Sequence, residues 1–400
     1  MNPPFNYLQS FTKLSLAVSL SLALVACGGG GGGENTTPPV VTAPIVVVPA
    51  PIADNLDDEF ALYLTDLADK HIIPGYADLQ SKTQALQTQS TTFCSNNSPS
   101  DADLKSFQHS WVETNQAWQN IQWLNLGPVL EQTRSLRIQF WEPATNAVIN
   151  GVEALLLRQG ETIDAGLISG VNVGAQGIPA LEYLLYPQND NHSLINASNK
   201  QKRCEVATAI ADNLFNMASD IHAQWQTTGG NYRETLITGS NEFTSIQDAV
   251  EELVTLWLEH INIVKDDKVL AALGDTSPGI AQNAEYYLSD ESLASITINA
   301  ATFLSIYTAG GGQGFDDILT TKLSQQTVAT QVNTDISAAM NRIAVINQTL
   351  STYSAAIADE DGRIQLITLV EELNTIRDVL TIEFIQALDI STGFNATDGD

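Results

Sequence analysis

Basic residues are scarce in this chain. In 400 residues, 17 Lys and Arg stand against 46 Asp and Glu, a formal charge of −29. A surface of that sign repels phosphate backbones, which argues against a nucleic-acid partner. It attracts cations only diffusely, and such a surface chiefly keeps a protein soluble. The usual catalytic signatures are missing as well. There is no HExxH helix, no GxSxG elbow, no phosphate loop and no CxxC pair. The six glycines after Cys27 have neither a strand before them nor a helix after them, so they are no nucleotide site. The five histidines, His71, His109, His192, His222 and His260, form no close pair. His260 precedes Asp266 and Asp267 but reads as a satisfied or exposed histidine rather than a ligand. Convincing two-residue alternation is absent too, which excludes a sheet protein.

What is present is helical periodicity. Leu104, Phe107, Trp111, Trp118 and Ile121 fall on one helical face. A second face carries Ala207, Ile210, Ala211, Leu214, Met217, Ile221 and Trp225. A third carries Val250, Leu253, Val254, Trp257, Ile261 and Val264, and a fourth Leu369, Val370, Leu373, Ile376, Leu380 and Phe384. The class is therefore all-α, and Trp111 and Trp118, seven residues apart on an apolar face, read as core. Pro74-Gly75, Gly127-Pro128, Gly229-Gly230, Gly274 to Pro278, Gly310 to Gly314 and Gly362 mark the joints. A body of this length is expected to form two helical bundles, 56–235 and 236–400, as a distant duplication.

The N-terminus reads as an address. Lys13 precedes the apolar run LSLAVSLSLALVAC, too short to span a bilayer and ending in small residues, as an export signal does. Leu24-Val25-Ala26-Cys27 resembles the bacterial lipobox, with residues 1–26 as the signal peptide and Cys27 as the lipidated residue. Gly28, rather than an aspartate, follows it; by resemblance to lipoprotein sorting this favours an outer-membrane anchor facing the periplasm. Residues 27–55, rich in Gly and then in Pro and Val, form a tether. Export to an oxidising compartment makes Cys94 and Cys204 an expected disulfide.

Six segments resemble the imelysin-like proteins in order and spacing: HIIPGYADL, WQNIQWLNLGPV, LRIQFW, GIPALEYLLY, KDDKVLAALG and GFNATDGD. The resemblance runs from about Leu56 to Asp400. It implies an all-helical, two-domain protein of the bacterial envelope tied to iron uptake or iron-regulated expression; some relatives carry a metallopeptidase label. The hallmark of that family is GxHxxE, whose histidine and glutamate are proposed metal ligands. Residues three apart on a helix face one way and can share an ion. Here Gly177 and Glu182 match, but Pro179 stands in the histidine's place.

Two readings of Gly177–Glu182 remain. Glu182 is the surviving half of a metal site, or the stretch is a helix start with Pro179 and Glu182 in its first turn. In the second case the carboxylate complements the helix dipole by about 0.3 to 1 kcal/mol. By resemblance, Glu113, Trp118, Arg137, Trp141, Asp267 and Lys268 also occupy recurrent family positions. The polar ones among them, with Gly177 and Glu182, are expected to line an inter-domain cleft, although Glu113 equally suits a buried ion pair with an arginine.

The resulting expectation is a periplasm-facing lipoprotein, a binding or accessory protein in iron or haem uptake. Its partners would be the membrane, through the lipid, and iron-uptake components of the envelope. A divalent metal or iron is the only cofactor class suggested. The alternatives are a metal-dependent peptidase, which needs an open metal site that Pro179 makes hard to assemble, and an envelope scaffold.

Overall fold

In the computed structural model, residues 55–140, 146–350 and 352–393 are described. The proposed signal peptide, lipobox, nearly all of the tether, Trp141 and most of the terminal GFNATDGD segment lie outside them. Among the described residues every regular element is helical. The expected helices form because their apolar faces bury: all seven residues of the second face and all six of the third are buried, and of the fourth only Val370 is less than fully so. Trp111, Trp225 and Trp257 are wholly enclosed. Truncating any one of them to alanine would cost about 3 to 5 kcal/mol.

Helix α1 (Asp57–Leu67) runs through a π-helical segment (Ala68–Ile72) into α2 (Ile73–Ser95). Pro74-Gly75 is therefore not a joint. A π segment already interrupts the i→i−4 ladder, so a proline with no N–H is tolerated just after it. Gly75 also lets α2 press on the next helix, where a Cβ would come within 3.3 Å of Ile121. That helix, α3 (Asp101–Ile121), starts at Ser100, whose Oγ accepts from Asp103 N while the Asp103 carboxylate accepts from Ser100 N.

Helix α2 packs with α3 and with α5 (Lys200–Trp225), and the short α4 (Gly177–Leu185) packs on both α3 and α5. The Cys94–Cys204 disulfide ties the end of α2 to the start of α5. Further along come α6 (Ile246–Asn262), a second π segment (Ile263–Leu270), α7 (Ser292–Tyr307), α8 (Gln326–Thr349) and α9 (Glu360–Val379). Ser245 and Asp359 cap α6 and α9.

Packing continues across residue 235. Helix α1 lies on α6, with Tyr63 Oη donating to Ile306 O and Lys322 pairing with Glu59, and α3 lies on α7. The described residues from Asn55 onward form one compact unit. No described helix is long and apolar enough to cross a membrane.

Candidate functional site

Helix α4 is the best-defined start. Gly177, its first residue, has φ +75°, and a Cβ there would sit 2.2 Å from Ile138 O and 2.4 Å from Arg137 O. Only glycine fits so close a backbone crossing. Arg137 braces this crossing and is itself buried. Its Nε donates to Gln176 Oε1 (3.0 Å) and its Nη2 to Asn213 Oδ1 (3.0 Å), while Gln176 Nε2 reaches Val171 O. Trp111 Nε1 donates to Ile178 O at 3.0 Å, fixing α4 against α3. Pro179 is the third helical residue, where its missing N–H has no intrahelical partner to lose.

Glu182 departs from the helix-start reading. It is the sixth residue of α4, in the second turn, so the dipole at the N-terminus does not account for it. It is also buried, at 5 % exposure. Ser289 holds it from across the chain, donating both its backbone N–H (2.9 Å) and its Oγ–H (2.7 Å) to Glu182 Oε1. Burial pushes the carboxyl up to about 7, against the opposing Ser289 bonds, and the acidic Glu285 adds to the rise. A cavity of about 160 Å³ opens beside it, lined in part by Val148, Ile149, Pro179, Tyr183, Tyr286 and Leu288.

A second polar locus lies between α3, the second π segment and α7. The π turn points Lys268 inward, where its Nζ donates to Gln119 Oε1 and Asn299 Oδ1 (both 2.7 Å) and lies 3.1 Å from Glu285 Oε2. Lys268 and Glu285 are each 2 % exposed. Desolvation lowers the lysine's affinity for its proton, and the Glu285 charge opposes that. Gln139 Nε2 donates to Glu285, and Asn299 Nδ2 to Gln119 O (2.9 Å). The pair floors a groove of about 280 Å³ whose walls include Trp118, Gln122, His260 and Asp267. Asp267 is exposed at the edge of the groove, and partial desolvation, with Asp266 beside it, raises its carboxyl. His260 is buried against Phe303 and pushed well below its ordinary range, so it is neutral. His71 is likewise neutral, accepting Trp123 Nε1–H at 3.1 Å.

The sequence-derived residues thus occupy several places. Gly177 and Arg137 meet at the backbone crossing, Glu182 lines the small cavity, and Asp267, Lys268 and Trp118 line the groove. Glu113 sits elsewhere, in a partly exposed pair with Lys82 of α2 at 2.8 Å rather than in a buried pair with an arginine. That pairing holds its carboxyl below the usual range. Sequence reading missed Glu285, Ser289 and the tyrosines between them. They sit in an irregular segment, 280–291, where no apolar period advertises burial.

The Imelysin family model matches residues 72–380. The chain belongs to the Imelysin family. Among solved structures, an imelysin-like protein from Psychrobacter arcticum matches with a TM-score of 0.69 at 21% identity, over 84% of this chain and 98% of that one. A putative iron-regulated protein A precursor from Parabacteroides distasonis matches with a TM-score of 0.64 at 14% identity, over 81% and 94%. At these identities the likeness shows the fold. No curated protein matches the chain.

For an Imelysin protein the question is whether the GxHxxE position here suits a metal. Pro179 has no ligand atom, and Glu182 Oε1 already accepts two bonds from Ser289. Among the described residues no group of three or more His, Cys, Asp and Glu is placed to hold an ion. A catalytic zinc takes three protein ligands and a water, so this donor set does not fit one.

Proposed function

We propose that this protein is a lipid-anchored binding or accessory protein of the bacterial envelope, engaged in iron or haem acquisition through the groove above Lys268–Glu285. The observation that carries the reading is the state of the hallmark position. Its glutamate is buried on a serine and its histidine is replaced, so the position is not built for metal-dependent hydrolysis of peptides, and the separate groove is the candidate for ligand recognition. A groove formed jointly by residues on both sides of position 235, mixing Trp118 with charged and amide side chains, suits a bound molecule better than a bare scaffold does. The iron connection rests on family membership and on the name of the Parabacteroides structure, a putative iron-regulated protein A precursor. The envelope location and the anchor rest on the export signal and on Cys27 in its lipobox.

Protein purified natively from iron-starved and iron-replete cells tests this through elemental and mass analysis. Iron or haem retained by the starved-cell protein, and lost in the Lys268→Met/Glu285→Gln double variant, which leaves no uncompensated buried charge, is the expected result. Protein free of both in either condition, from cells whose iron-limited growth does not need it, would overturn the reading.

A further inference from the structure

We propose that the cavity beside Glu182 binds a small organic monocation, a primary ammonium carried on a short aliphatic chain. This site is distinct from the groove and does not rest on the iron reading: Glu285 lines the groove, whereas Tyr286, Tyr287 and Leu288 line the cavity.

Three observations converge. The first is an acid without a counter-charge. Glu182 is 5 % exposed, and among the described residues the charged side chain that acts on it is another acid, Glu285, with no lysine, arginine or histidine contributing. An ionised carboxylate removed from water is costly unless a cation accompanies it. The second is orientation. Both Ser289 bonds fall on Oε1, the Leu288 backbone N–H also reaches the carboxylate, and among the described residues no side chain donates to Oε2, which keeps capacity for a ligand on the cavity side. The third is the lining. Val148, Ile149, Pro179 and Leu288 offer apolar wall to a short hydrocarbon, and Tyr183, Tyr286 and Tyr287 offer aromatic surface, which attracts ammonium groups.

Size and donor chemistry narrow the class. At about 160 Å³ the cavity has the volume of roughly five waters at liquid density, enough for an amine of a few heavy atoms. A hard divalent cation needs six or more oxygen ligands, whereas the cavity supplies one carboxylate and a mainly apolar wall. An anion is excluded by Glu182 and Glu285. The carboxyl's position near neutrality means that a bound ammonium would draw it into the ionised form.

Calorimetric titration of the detergent-solubilised full chain with n-butylammonium, and with n-butanol as the neutral isostere, tests the proposal. Saturable one-to-one binding of the amine is expected, weakened at least about tenfold for butanol and for Glu182→Gln, a loss of one ammonium–carboxylate contact. Glutamine keeps an acceptor for Ser289, so the fold is retained. Val148→Trp, which fills the cavity and leaves the carboxylate in place, is expected to abolish binding. Equal affinity for butanol and the amine, an unchanged affinity in either variant, or no heat from the amine at millimolar concentration would each overturn it.

Discussion

Glu182 is a buried acid whose titration folding moves far from that of a free carboxyl. In the unfolded chain its pKa is near 4.5, and in the fold it is pushed up to about 7. An acid with a raised folded pKa favours the fold fully below its unfolded pKa, and that favour is lost as pH rises through the folded one. Wild type should therefore lose about 3 kcal/mol relative to Glu182→Gln between pH 4.5 and pH 8. Urea unfolding of both proteins at several pH values checks this; parallel stability curves would contradict it. At this scale the sequence was half legible. Gly177 and Pro179 declare a helix start through their own backbone limits. The burial of Glu182 is imposed by Ser289 and its neighbours, more than a hundred residues away, and no local pattern carries that information.

At the level of elements, the second π segment matters most. Its extra residue per turn breaks the helical phase after α6, which places Lys268 in the interior while Asp266 stays exposed. Lys268 then joins α3, α7 and the segment bearing Glu285 through three contacts. Removing one member of such a pair leaves an uncompensated buried charge. Lys268→Met should destabilise the fold by about 3 to 5 kcal/mol, and adding Glu285→Gln should restore most of it. Chemical denaturation of the single and double variants measures this, and additive losses would show that the two residues do not form a working pair. The regular helices were readable because a 3.6-residue period follows directly from one buried face, as Val250 to Val264 illustrates. The π segments were not, since they alter the period that marks a helix; hence Pro74 reads as a joint in the sequence although it lies in a continuous helical run.

Across the whole molecule, the Cys94–Cys204 bridge spans 110 residues and staples α2 to α5. On the chain-entropy account, closing so long a loop stabilises the fold by about 4 to 5 kcal/mol. Reductant should shift the urea midpoint down accordingly, and an unmoved midpoint would assign the bridge no such role. The bridge was legible from two cysteines behind an expected export signal, and the helical class from periodicity. The packing of α1 onto α6 was not, because adjacency of elements distant in sequence is a tertiary fact. The central claim is that the hallmark position of this Imelysin chain is no metal site, because Pro179 offers no ligand atom and Glu182 is held by Ser289. Titrating zinc and ferrous iron into wild type, Glu182→Gln and Pro179→His tests it most directly. The account predicts no stoichiometric binding that depends on Glu182 in the wild type. Stoichiometric micromolar binding by the wild type that disappears in Glu182→Gln would contradict it.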